Sequence, residues 1–448
     1  GKRVRLACEE EELPAIYLTN ALTDWENRQG PGPRLPFPEL QQEMERARAV
    51  KRQTPILVVL GNPPYNGYAG VAMAEERALT GAYRTVNRVR RPEGQGLNDL
   101  YVRFFRMAER RIADFTGQGV VCFISNYSWL DGLSFTGMRE RYLDAFDKVW
   151  IDCLNGDKYK TGKLTPDGDP DPSVFSTEFN RQGIQVGTAI ALMVRKDRRG
   201  RAAAVRFRHL WGGSKRDELK AAAAQDGESL YEAVQPPLAI GLPFFPSRVN
   251  ESYFAWPLLP ELMPVSYPGV KTSRDGFLVD IDRQRLERRL EKYFDPDVAH
   301  REMRRIAPVA MKNTARFKAE KVRDLLRKRG LLHGNIVRYC YRPFDVRWLY
   351  WEPETKLLDE KRAEYFPNLL DRNRAEYVSH VAQENIWLIA AQKLRRETSR
   401  PQVITRLGCS HLMERGANCF PVFLREGAAG TPLFDAGGGG GIRPNLTA

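Results

Sequence analysis

Pro55-Ile56-Leu57-Val58-Val59-Leu60-Gly61-Asn62-Pro63-Pro64-Tyr65 joins an unbroken apolar run to a turn stiffened by two prolines. A run of this length, rich in branched side chains and closed by Gly and Asn-Pro, predicts a strand buried on both faces of a parallel sheet. The same rhythm recurs on either side of it. Gly119 to Ser125, Val149 to Leu154 and Gln185 to Val194 read as further strands. Glu39 to Lys51, Asn98 to Ala113 and Met138 to Phe146 read as helices, the second capped by Asn98. Pro14 to Leu22 reads as a short strand entering a loop. Strands alternating with helices imply an α/β unit with a largely parallel sheet. Ligands of such sheets bind beyond the carboxyl ends of the strands, where Asn62 and the loop after Leu18 fall.

Asn62-Pro63-Pro64-Tyr65 carries legible chemistry. An exocyclic aromatic amine is a poor nucleophile because its lone pair is delocalised into the ring. The Asn62 side-chain oxygen and the Pro63 carbonyl, aimed at its two protons, would favour a pyramidal nitrogen with an available lone pair. The prolines fix φ and remove competing N–H donors. Tyr65 offers a flat face for an extruded base, since an amine inside a duplex cannot be reached. The plainer reading is an ordinary turn after a strand, because Asn-Pro and Pro-Pro are common turn dipeptides. The preceding apolar strand favours the chemical one.

The rest of the chain has a different character. Gly212 to Pro237 reads as a linker, so residues 1–235 form one domain and residues 236–448 a second, mixed α+β domain. Gly437 to Gly441 reads as a flexible linker. The 70 Lys and Arg exceed the 56 Asp and Glu by 14, an excess that favours a polyanionic partner. Between Lys271 and Gly330 stand 18 basic and 10 acidic residues, a local excess of 8. Some of these charges are expected to form only surface ion pairs, as along Arg283 to Arg289. The six cysteines show no CxxC pair and the five histidines no ligand spacing, so no metal site is expected. Scattered cysteines suit a reducing cytoplasm. No apolar run reaches the roughly 20 residues of a membrane span. Tyr341-Arg342-Pro343-Phe344-Asp345-Val346-Arg347 sets an Arg–Asp pair around a proline turn, most often a structural clamp.

Ile56 to Tyr65, followed by Asn98-Asp99-Leu100-Tyr101-Val102-Arg103-Phe104-Phe105, resembles the γ-order N6-adenine DNA methyltransferases. More narrowly, it resembles the methyltransferase and target-recognition segment of Type ISP restriction–modification enzymes. Phe123 to Gly132, Leu154-Asn155-Gly156-Asp157, Val186 to Ile190, Gly269 to Asp275 and Tyr341 to Asp345 are similar to blocks of that family. The resemblance implies a Rossmann-like methyltransferase domain followed by a target-recognition domain. It implies methyl transfer from S-adenosylmethionine to adenine N6, with no metal and no covalent enzyme intermediate. Its implied partners are double-stranded DNA and upstream nuclease or translocase segments of the same polypeptide.

By that resemblance Asn62, Pro63, Pro64 and Tyr65 form the catalytic motif. Asn20 and Ala21, in Ile16 to Ala21, would contact the cofactor's adenine; the competing reading of Asn20 is a local Asx turn. Phe175 and Phe179 both qualify to line the flipped-base pocket, with Phe175 favoured. The chain departs from the family in one respect. A glycine-rich methionine-binding turn and a ribose-binding acid should precede Asn20, and neither is found. The fragment alone is therefore expected to hold the cofactor weakly. No GxxxxGK[ST] phosphate loop occurs either. Two other readings stay open: a DNA-recognition fragment without catalysis, and an amino-methyltransferase acting on RNA or on protein glutamine.

Overall fold

The computed structural model describes residues 16–17, 19–25, 37–65, 74–198, 200, 202, 204–222, 227–246, 249–362, 385–391, 400–413, 416–425 and 442–447. The chain divides into two units, Gly1–Asn250 and Glu251–Ala448. The glycine run at residues 437–441 lies outside the described residues.

The first unit is built on a six-stranded sheet. Its strands are β1 (Val58–Gly61), β2 (Gly119–Asn126), β3 (Lys148–Asn155), β4 (Thr188–Arg195), β5 (Val205–His209) and β6 (Glu232–Val234), in the order β1-β2-β4-β3-β5-β6. Its helices are α1 (Pro38–Gln53), α2 (Ala74–Leu79), α3 (Leu100–Glu109), α4 (Thr136–Ala145) and α5 (Lys215–Ala222). β1 runs parallel to β2, and β3 parallel to β5, whereas β4 is antiparallel to both β2 and β3. β6 is antiparallel to β5. The expected largely parallel sheet is therefore a mixed one. The error has a physical origin: a strand covered on both faces shows the same apolar pattern whichever way it runs. Tyr101, Phe105, Trp129 and Tyr142 form the centre of the core under this sheet, all buried.

Four further expectations change. β1 forms, but Val58 is 54% and Leu60 70% exposed. Among the described residues it is the end strand of the sheet, and there fewer neighbours surround each side chain than in an interior strand. The described residues of the expected strand at Pro14 to Leu22, 16–17 and 19–22, form no strand, and residues 21–22 lie in a turn. Asn98 closes a short 3₁₀ turn instead of capping α3, and its side chain accepts from Arg84. Beyond Glu109 the helix widens into a π segment, Arg110–Thr116. Finally, the expected linker is part of the unit, because α5 and β6 lie within it. Phe244 is buried beside Trp129, and its N–H bonds the Leu130 carbonyl at 2.7 Å. The buried Arg139 donates to the carbonyls of Trp129, Gly132 and Gly241. Chain as far as Phe245 is thereby fastened to the first core.

The second unit carries β7 (Tyr267–Pro268), β8 (Val279–Asp280), β9 (Ile336–Arg342), β10 (Asp345–Tyr350), β11 (Trp387–Ala390), β12 (Gln402–Ile404), β13 (Leu407–Gly408) and β14 (Asn418–Pro421). They form two four-stranded sheets, β13-β9-β10-β8 and β12-β11-β14-β7. Helices α6 (Arg283–Phe294), α7 (His300–Ile306) and α8 (Ala319–Arg329) pack with them on one core that includes Leu286, Tyr293, Met303, Leu326, Tyr350 and Trp351. The sequence of α6 shows why it folds so: Leu286, Leu290, Tyr293 and Phe294 recur at helical spacing, and all four are buried.

Candidate functional site

β1, β2, β3 and β5 point the same way, so their carboxyl ends share one edge of the sheet. The segment after β1 owes its position to a glycine. Gly61 pairs with Phe123 in β2, and a Cβ there would stand 2.9 Å from the Phe123 ring. Only a residue without a side chain lets β1 lie that close. Asn62 therefore emerges at the carboxyl edge. Pro63 is buried, while Asn62 and Pro64 face solvent. The Asn62 amide engages no partner among the described residues.

Tyr65 meets Phe175 edge-on, with ring centroids 6.2 Å apart and planes at 69°. Its hydroxyl is buried without a hydrogen-bond partner among the described residues, and burial pushes its pKa above the usual tyrosine range. Phe175 is held by a loop with its own anchors. Asp171 and Lys215, both buried, pair at 2.5 Å. Asp171 also accepts from the N–H of Gly156 at 2.6 Å and of Gly212 at 2.9 Å. Lys215 donates to the Pro172 carbonyl, and Arg216 to that of Val174. Breaking a buried pair by removing one partner costs about 3–5 kcal/mol, so the loop is stiffly mounted. Phe179 has no such mounting and is fully exposed. Of the two phenylalanines, the structure brings only Phe175 to Tyr65.

The end of β3 adds groups to which the sequence reading gave no role. Asn155 and Gly156 take successive positive φ values of 50° and 71°, turning the backbone sharply. Asp157, buried, then accepts from the N–H groups of Tyr159 and Lys160 at 2.6 Å and of Gly187 at 2.9 Å. Gly187 is required because a Cβ there would lie 2.3 Å from the Tyr127 ring. Burial, and then the neighbouring Asp157 carboxylate, push the Tyr127 hydroxyl above its ordinary pKa. The ammonium of Lys160 lies 4.6 Å from the Tyr127 ring centre and pairs with Asp131 at 3.3 Å. The signal for these roles was an Asn-Gly-Asp directly at a strand end.

Asn20 sits in a separate cluster. Its Oδ1 accepts from the Leu22 N–H at 2.9 Å, which is the Asx turn, and its Nδ2 donates to Glu76 at 3.0 Å. Glu76 in turn pairs with Arg103 of α3. The Ala21 carbonyl accepts from the Trp25 indole at 2.7 Å. Lys51 of α1 is buried and donates to Thr19 Oγ1 and to the carbonyls of Asn20 and Thr23. Burial lowers its pKa. A cavity of about 150 Å³ opens beside this turn, lined by Trp25, Leu79, Met107, Arg111, Asp114 and Phe115. Neither Tyr65 nor Phe175 lines it.

In the second unit, Gly269 to Asp275 meets Tyr341 to Asp345. Asp275 accepts from the Tyr341 hydroxyl at 2.8 Å and from Thr272, and stands 3.7 Å from Arg342. Part of this basic charge is structural. Arg274 is buried over Phe317 and donates to the Lys356 and Leu357 carbonyls. Arg323 is buried and donates to the Tyr293 and Val298 carbonyls, and Arg329 pairs with the buried Glu352. Arg304 pairs with Glu320. Arg301, Arg305, Lys312, Arg316, Lys318 and Lys321 are exposed and have no carboxylate partner among the described residues. Among the described residues, no helix is long and apolar enough to cross a membrane.

Residues 261–448 match the family model of the Type ISP C-terminal specificity domain. No curated protein matches the chain. Three solved structures share its fold. The ATP-dependent Type ISP restriction-modification enzyme LlaBIII bound to DNA has a TM-score of 0.65 and 16% identity, over 96% of this chain and 28% of that one. For the DrdV–DNA complex the TM-score is 0.62 and the identity 19%, over 92% and 39%. A nuclease-deletion mutant of the Type ISP restriction-modification enzyme LlaGI, in complex with a DNA substrate mimic, gives 0.60 and 17%, over 91% and 38%. The chain thus spans 28–39% of the length of these structures.

Proposed function

We propose that this chain is the methyl-transferring and site-reading part of a restriction–modification enzyme that methylates adenine N6 in duplex DNA, with S-adenosylmethionine as donor, in the cytoplasm. The observation that carries the proposal is the placing of Asn62-Pro63-Pro64-Tyr65 at the carboxyl edge of the sheet, with Tyr65 against Phe175. An extruded adenine stacked on Tyr65 presents its amine to the Asn62 side-chain oxygen, which has no competing partner among the described residues. The Pro63 carbonyl takes the second proton. The Pro63 carbonyl is set by the proline-stiffened backbone before the base arrives, and such preorganised placement lowers a barrier more than a mobile contact does. Phe175 holds the Tyr65 ring and closes the pocket wall. The second unit reads the sequence, as its match to a specificity domain and its unpaired surface cations support.

The described residues do not by themselves fit the donor. Both ends of the Asn20 amide are engaged, by Leu22 and by Glu76, and the Ala21 carbonyl is taken by Trp25. That observation favours a second reading, in which the chain recognises DNA without transferring a methyl group. Methyl transfer to duplex DNA, measured in the natural full-length polypeptide, separates the two. Asn62→Ala should cut the rate by at least about a hundredfold, as losing one placed polar group does elsewhere, with DNA affinity nearly unchanged. A parent protein that binds duplex and transfers nothing would establish the second reading. Activity of the variant within a few-fold of the parent would remove Asn62 from the mechanism.

A further inference from the structure

The β9–β10 hairpin turns through Arg342-Pro343-Phe344-Asp345. Proline followed by a positive φ, 61° at Phe344, is the type II pattern, whose third position suits glycine or asparagine. A bulky side chain there is strained. It is also fully exposed, at 106%. Neither packing nor backbone therefore accounts for a phenylalanine at this tip. Strain kept at an exposed residue points to a use outside the chain itself.

The surroundings indicate what that use is. The Tyr341 ring has two guanidinium groups against it, that of Arg342 at 3.9 Å and that of Arg347 at 4.5 Å from the ring centre. Trp348 has Arg338 at 5.1 Å and Arg283 at 5.2 Å from its ring centre. The two carboxylates nearest the tip are already covered. Asp345 pairs with Arg347 at 2.8 Å, and Asp275 takes the Tyr341 hydroxyl with Arg342 alongside. Arg283 and Arg338 have no carboxylate partner among the described residues. The hairpin is thus an alternation of rings and cations that ends in a bare aromatic ring. A polyanion with stacked planar groups is the partner this chemistry fits.

We propose that Phe344 is a wedge: with the hairpin against duplex DNA, its ring enters between neighbouring base pairs and holds a kinked step, while Arg283 and Arg338 neutralise the flanking phosphates. Apolar side chains inserted in this way unstack a step and bend the duplex by roughly 20–90°. The inference rests on the DNA-reading role proposed above. Its test uses the full chain and a duplex selected from a random library by binding to that chain, dye-labelled at both ends. The parent should shorten the end-to-end distance. Phe344→Ala should abolish that change and weaken binding about tenfold, in line with the loss of one stacked base. Phe344→Trp should keep both properties. Phe344→Gly should melt at a higher temperature than the parent, because glycine relieves the positive φ, yet bind like the alanine variant. Arg338→Ala should flatten the plot of log affinity against log salt by about 0.9 and leave the kink in place. An alanine variant that binds or kinks duplex as well as the parent would overturn the wedge alone. A parent chain that captures no duplex from the library would overturn the DNA reading and the wedge together.

Discussion

Phe175 and Phe179 are four residues apart, and their environments differ completely. The first belongs to a turn in which the Ser176 N–H bonds the Ser173 carbonyl, below a buried Asp171–Lys215 pair. The second stands in solvent. If Phe175 supports Tyr65 as a stacking platform, Phe175→Ala should lower methyl transfer by about tenfold to a hundredfold, the loss of roughly one stacking contact. Phe179→Ala should leave it within about twofold, as for a surface change away from the site. Equal losses in the two variants, measured as initial rates on duplex substrate, would show that Tyr65 does not act through Phe175. Asn20 makes a related point from the other side: its amide completes an Asx turn and a bond to Glu76, so its first duty is to shape its own loop.

The joint between β8 and α6 shows how one charged contact fastens an element. Arg289 of α6 donates to the carbonyls of Phe277 and Val279 and to the Asp280 carboxylate, which it meets at 2.8 Å. Burial alone would raise the Asp280 carboxyl. The Asp282 N–H and Arg289 outweigh burial and hold it below the ordinary aspartate value. A depressed carboxylate adds stability that is present above its unfolded value, about 3.9, and is lost as pH falls through the lower folded value. Asp280→Asn should therefore melt below the parent near pH 7, and the two melting curves should converge as pH is lowered to about 2. A gap of the same size at both ends would show that the charge on Asp280 does not hold this joint. β1 shows the opposite situation, an element whose local pattern is satisfied while its apolar faces stand open, with Leu57 50% exposed beside Val58 and Leu60.

For the whole molecule the useful quantity is not the net charge but the part of it left unpaired. Arg274, Arg323 and Arg329 are bound to carbonyls or to Glu352 inside the second unit, so reversing them would test folding. Arg305, Lys312 and Arg316 are exposed without such partners among the described residues. If the second unit binds duplex as proposed, reversing these three should weaken binding to every duplex roughly alike. It should also flatten the plot of log affinity against log salt by about 0.9 for each phosphate contact removed. Thermal stability should hardly change. Fluorescence anisotropy across a salt series would decide the matter, and an unchanged slope would show that these three residues contact no phosphate.

Helical and strand periodicity are local properties, set by which side chains within a few residues are apolar. For that reason the positions of α1, α4, β2, β3 and β4 were legible in the sequence within a few residues. So was the place of Asn-Pro-Pro-Tyr directly after a strand, because apolar run and motif are contiguous. Pairing is not local. The insertion of β4, reversed, between β2 and β3, the pairing of β1 with β2, and the folding of α5 and β6 into the first unit depend on contacts between segments far apart in the chain. The choice between Phe175 and Phe179, and between bound and unpaired arginines, likewise depends on which groups lie across the gap. Composition counts charges and rings, whereas burial and partner distance determine which of them remain available to a partner.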